Sequence, residues 1–175
     1  MQAKALSRGF EPISRPDGTT LILGSLPSQR SLQSGEYFAN PRNVFWKIMG
    51  ELINAGPEIS YKERVERLLV AKLAVWDVLQ CAVRPGSLDA NIDPGTARPN
   101  NFVEFLEEHS KIRLVCFNGQ KAAALFAKLV TGELSGWAGK LTFITLPSTS
   151  PAHAAMAFED KLMQWSVVTG DFPIP

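Results

Sequence analysis

Phe38, Asn40, Arg42, Asn43, Phe45 and Trp46 stand together around Pro41, within residues 38–46. An apolar core has use for the aromatic rings. It has none for two amides and a guanidinium beside them. The combination suits a loop that stacks on a flat group and hydrogen-bonds to it.

Two further segments carry small polar groups next to glycine or proline. Gly24, Ser25, Leu26, Pro27 and Ser28 follow a short apolar run. Gly24 permits close backbone approach and Pro27 sets the turn. No Gly-Lys-Ser/Thr follows, so the segment is not a phosphate-binding P-loop. It also lacks the GxSxG pattern of a nucleophile elbow. Taken alone, it reads as a strand-to-loop turn. Ser148, Thr149 and Ser150 lie between Pro147 and Pro151, with Ala152 and His153 next. Such a stiff loop, rich in donors and acceptors, can grip a phosphate backbone or push into a groove. Ser150 and Pro151 read equally well as the cap and first position of a last helix. His153 would then be a solvent-facing helix residue.

These segments need elements to position them. Apolar runs at Thr20–Gly24, 73–79, 112–117 and 141–146 are short and continuous rather than alternating. Strands buried on both faces of a parallel sheet have this pattern. Helical periodicity covers 44–53, Tyr61–Val70, 101–108, 119–130 and about 154–167. Strands alternating with helices predict an α/β fold, a three-layer α/β/α sandwich with a central four-stranded parallel sheet. In such sheets ligands bind beyond the carboxyl ends of the strands. The segments starting at Ser25, Asp77, Asn118 and Pro147 are therefore the expected site. Residues 84–99 read as a long irregular loop, of a length more often functional than idle. The tail at 171–175 is expected to lie extended.

Composition narrows the class. At 175 residues the chain fits one domain, 1–175, with a core at about 19–169. Apolar residues make up 45% of it, enough for a real core. No run approaches the roughly 18 to 20 apolar residues of a membrane span, and residues 1–8 lack a signal-peptide core. The expectation is a cytoplasmic protein with no membrane role. Cys81 and Cys116 sit alone in apolar surroundings and read as buried free thiols, too few for a four-cysteine zinc site. The net charge is only +1, so nucleic-acid binding would have to rest on a local patch. Arg8, Arg15, Arg30, Arg42, Arg84 and Arg98 fall in loop-like segments, and Glu51, Glu63, Glu66, Glu104, Glu107 and Glu108 in helix-like ones. That asymmetry permits a positive face.

The order of GSLPS, YFANPRNVFW and LPSTSPAHA resembles the uracil-DNA glycosylase superfamily, most of all its hypoxanthine-DNA (deoxyinosine) glycosylase branch. Val75 to Leu79, the run from Arg84 to Ala90, and Phe117-Asn118-Gly119 resemble that branch too, so the likeness spans about residues 21–165. Residues 38–46 are also similar to the mismatch-specific uracil and thymine glycosylases. The resemblance implies hydrolysis of the N-glycosidic bond of a deaminated base flipped out of DNA, by a monomer and without metal or cofactor. It has departures. Many relatives carry Asp or Asn where this chain has Leu26, which has no group to orient water. In the resembled branch that duty passes to the residue matching Asn43. Uracil-specific relatives often place His or Asn near Ser148, and His153 stands where close relatives commonly have Asn.

On this reading Asn43 orients the attacking water, and Phe38 stacks on the base for about 1–3 kcal/mol. Asp77 accepts from N1–H of hypoxanthine, or donates to the base if burial keeps it protonated. The Ser25 and Leu26 amides meet O6. Asn118 joins the base-binding residues and orders the pocket. Arg42 and Arg84 are the expected phosphate contacts, and Ser148 through His153 enter the minor groove. Two other readings compete. Ser25, Asp77 and His153 follow strand ends and could form a hydrolase triad, though the nucleophile lacks its elbow. Leu26 would also suit a DNA-binding relative without catalysis.

Overall fold

The computed structural model describes residues 6–170, so the 171–175 tail lies outside the described residues. The elements run β1 (Leu6–Arg8), β2 (Thr20–Gly24), α1 (Gln29–Ser34), α2 (Phe45–Ile53), α3 (Tyr61–Val70), β3 (Leu73–Asp77), β4 (Leu79–Val83), β5 (Arg98–Pro99), α4 (Phe102–Glu108), β6 (Leu114–Asn118), α5 (Gln120–Leu129), β7 (Thr142–Leu146) and α6 (Phe158–Trp165). Short 3-10 turns fill several connections, among them Asp89–Asn91 and Pro151–His153.

β3, β2, β6 and β7 form the central sheet in that order, with every pair parallel. Alternate residues of β2 serve two cores, as the two-residue strand period requires. Leu21 and Leu23 pack with Trp76, Phe102, Phe105, Phe117 and Phe126, under α4 and α5. Ile22 packs with Val75, Cys116, Phe45, Ile48, Met49, Leu68 and Trp165, under α2, α3 and α6. The result is the expected three-layer sandwich. Both cysteines are buried free thiols.

The structure corrects several details. The apolar run 73–79 is two strands. β3 ends at Asp77, and the chain turns through Val78 into β4. β4 pairs antiparallel with β1 and β5 in a second, three-stranded sheet. The stretch 84–99 is therefore partly ordered by that sheet, and Arg8 and Arg98 belong to strands. Arg30 lies on α1, a polar helix framed by Ser28, whose Oγ accepts from Ser31 N at 3.1 Å, and by Gly35 at φ 70°. β7 is not buried on both faces: as an edge strand it exposes Thr142, Phe143 and Thr145. The last helix begins at Phe158 rather than near Ala154, because Ser150 caps the separate turn Pro151–His153 instead.

Candidate active site

Sheet order puts the chain reversal beside β2, whose neighbours β3 and β6 lie on opposite sides. That is where a parallel α/β sheet opens a crevice. A cavity of about 480 Å³ opens there, at the carboxyl ends of the strands. Its wall includes every candidate except Arg84.

The loop after β2 forms the floor. Ser25, Leu26 and Pro27 are buried. The Ser25 carbonyl accepts from Leu79 N at 3.1 Å. The Ser25 and Leu26 amides make no hydrogen bond with another described residue. Two free donors beside a cavity suit a carbonyl oxygen of a ligand.

Phe38 holds a left-handed backbone, φ 55°, which costs energy in a residue other than glycine. Two contacts around it hold this shape. Its ring stacks on Phe45 at 4.0 Å between centroids, and the neighbouring Ala39 N donates to Ser31 Oγ at 3.1 Å. One ring face is thus spent on Phe45, leaving the other for a planar ligand. Asn40 turns the chain by accepting from Arg42 N on its side chain and from Asn43 N on its carbonyl. Asn43 Oδ1 accepts from Phe45 N at 3.0 Å, at the start of α2. This bond fixes the side chain and leaves the oxygen a second lone pair. Arg42 is exposed at the lip.

Asp77 ends β3 directly across from Gly24. Its carboxyl is buried, and Oδ2 has no partner among the described residues. Burial, reinforced by Asp89 and opposed by Arg84, pushes its pKa up to about 7. Asp77 lines the cavity, and a buried carboxyl with an unpartnered oxygen lacks a donor that such groups ordinarily have. Gly24 makes room for it, since a methyl group there would stand 2.5 Å from Asp77 Oδ1.

Arg84 departs from its expected place. Its guanidinium is buried, not at a phosphate-binding surface, and donates to the carbonyls of Leu26 and Pro27 and to Asp89 Oδ1 at 3.3 Å. A planar fork with several donors suits this bracing of one loop on another. Gln29 N adds a bond to Ser87 Oγ at 3.0 Å.

The loop after β7 closes the far side. Asn118 and Thr149 exchange two hydrogen bonds of 2.9 Å, so the Asn118 amide orders this wall. Val44 N donates to the Thr149 carbonyl at 3.0 Å, tying this loop to the one that carries Asn43. Ser148, Ser150, Pro151, Ala152 and His153 line the rim, and His153 is exposed. No hydrogen bond joins Ser25, Asp77 and His153 among the described residues, so they form no hydrolase triad.

Sequence reasoning passed over Tyr37 and Lys161. Tyr37 lines the cavity but is buried, its hydroxyl donating to the Glu11 carbonyl at 3.0 Å. Burial, then Asp77, holds that hydroxyl in its protonated form. Its place beside Phe38 was the available signal. Lys161 is buried on α6 and reaches the 148–153 loop from behind, which no local pattern announces.

The chain is similar to known proteins along nearly its whole length. The family model described as Uracil DNA glycosylase superfamily matches residues 12–167. A protein of Methanosarcina acetivorans named Hypoxanthine DNA glycosylase is 33% identical over 164 residues, covering 93% of this chain and 98% of that one. A protein of the same name from Methanosarcina barkeri is 34% identical over 116 residues, covering 66% of this chain and 72% of that one. A solution NMR structure of a candidate uracil DNA glycosylase from Methanosarcina acetivorans superposes with a TM-score of 0.77 at 30% identity, covering 94% of this chain and 97% of that one.

Proposed function

We propose that this chain, which belongs to the uracil-DNA glycosylase superfamily, hydrolyses the N-glycosidic bond of hypoxanthine flipped out of DNA. The observation that carries the base assignment is the buried Asp77 carboxyl, which lines the cavity and has one oxygen without a partner among the described residues. Hypoxanthine presents N1–H beside O6. An ionised Asp77 accepts a hydrogen bond from N1–H, and the free Ser25 and Leu26 amides donate to O6. Adenine bears a lone pair at N1, which the same carboxylate repels. The two relatives named as hypoxanthine DNA glycosylases support the choice of base.

The reaction breaks C1′–N9, with the bonding pair leaving on the purine, while a water oxygen bonds to C1′ and its proton passes to solvent, which returns a proton to the departed purine. The products are the free base and an abasic sugar. Asn43 is no strong base, but its Oδ1 is fixed by Phe45 N and has a lone pair for that water. The developing oxocarbenium makes an oriented water a sufficient nucleophile. The Ser25 and Leu26 amides favour the departing base as negative charge reaches it. Phe38 offers its open face to the purine.

Duplexes carrying inosine, uracil, xanthine or a mismatch, treated with protein and then with alkali, test the reading. Inosine strands should break only after alkali. Asn43→Ala should lower single-turnover release by at least about a hundredfold, the scale of a lost positioning group, while its stability falls by only about 1 kcal/mol for the lost bond to Phe45 N. Wild-type rates in that variant would refute the role of Asn43. Preference for uracil would move the base assignment to the superfamily's other substrates.

A further inference from the structure

Lys161 is buried on α6, yet among the described residues no carboxylate pairs with it. Burying an ammonium without a counter-charge is costly unless its protons are bonded. Here Nζ donates to the Ser148 carbonyl at 2.7 Å and to the His153 carbonyl at 3.1 Å. These two acceptors stand at the two ends of one loop. Trp165, one helical turn further along the same face of α6, donates to the Pro147 carbonyl at 2.9 Å. Asn118 and Val44 hold Thr149 in addition. The loop is therefore pinned at Pro147, Ser148, Thr149 and His153. Only Ser150, Pro151 and Ala152 are left to project, shaped by the bond from Ala152 N to Ser150 Oγ.

We propose that Lys161 is a positioning residue that clamps the two ends of the 148–153 loop and so presents its tip to the DNA duplex. The proposal rests on the glycosylase reading of the site. Lys161 lies behind the loop and contacts neither base nor phosphate. Its removal should weaken the grip on duplex DNA without slowing the chemical step once the complex is formed.

The test compares Lys161→Met, which keeps the apolar stem and loses the donors, with Lys161→Arg, which can still reach both carbonyls. Binding to an inosine duplex and single-turnover release at saturating protein are measured over a range of salt. Lys161→Met should bind about tenfold more weakly, the scale of one charge-assisted hydrogen bond. Its saturated release rate should stay within about twofold of wild type, with an unchanged slope of log affinity against log salt. Lys161→Arg should recover most of the affinity. Three results would overturn the clamp: unchanged affinity in Lys161→Met, a fall in the saturated rate, or a salt slope reduced by about one, which would mark a direct phosphate contact. If Lys161→Met is partly unfolded, Lys161→Arg decides: a folded protein whose affinity is still lost overturns the proposal. A wild-type protein that releases no base refutes the glycosylase reading instead.

Discussion

Asp77 links stability and activity to pH with opposite signs. Its pKa moves from an ordinary 3.8 to about 7 in the fold, with burial as the largest cause. Between those values the folded protein keeps a proton that the unfolded chain has lost. Stability from this group is therefore present below about pH 4, falls by about 1.4 kcal/mol per pH unit as pH rises towards 7, and is flat above. Asp77→Asn should remove that slope, so its urea midpoint should gain on wild type between pH 5 and pH 8. Activity should run the other way. Second-order release of hypoxanthine should rise through pH 7 as the carboxylate forms. In Asp77→Asn it should be flat and roughly tenfold lower at pH 8, because a charge-assisted bond becomes a neutral one. A wild-type profile that falls through pH 7 would mean that protonated Asp77 donates to the base.

At the scale of elements, the site depends on where strands end. β2 and β3 pair so that Gly24 faces Asp77, and the chain has a residue without Cβ where the carboxyl must fit. Gly24→Ala should push Asp77 off the cavity wall. The expected cost is about 1–3 kcal/mol of stability for the overpacking, with a fall in hypoxanthine release beyond what unfolding explains. Thermal unfolding and single-turnover rates together check this, and a stable variant of full activity would show that the carboxyl position does not matter. Gly119 works in the same way at β6. At φ 96° it accepts Ser148 so closely that a methyl group would stand 3.0 Å from that side chain's Cβ. Local signals named some elements to the residue: α3 matches its expected span because Ser60 and Glu63 form a reciprocal cap. The break at Val78 had no such signal, since Leu73 through Leu79 are all buried and the run reads as one strand.

For the whole molecule, a net charge of +1 leaves DNA affinity to a few well-placed cations. Arg42 at the lip and buried Arg84 should then behave differently. Arg42→Ala should weaken DNA binding and reduce the salt slope by about one. Arg84→Ala should leave the slope intact and cost on the order of 2–3 kcal/mol, because it strands two buried carbonyls. Urea melts and salt titrations of both variants separate the two roles. An Arg84→Ala protein of full stability with a reduced slope would restore Arg84 to the phosphate surface.

Much of this was legible in the chain alone. Hydrophobic period set the strands, the helices and the three layers, because burial of one face or both is written in local spacing. The motif around Phe38 and Asn43, and the segments after the strand ends, marked the residues that now line one cavity. Side-chain direction and partnership were decided only by tertiary structure. Arg84 in a polar loop looked free for phosphate until its guanidinium met carbonyls nearly sixty residues earlier in the chain. Lys161 looked like one more helix cation until its ammonium met the ends of a distant loop. Asp77 was a carboxylate at a strand end, and only the packing around it removed both water and partner. Hydrogen bonds between residues far apart in sequence leave no periodicity behind, so no local pattern could announce them.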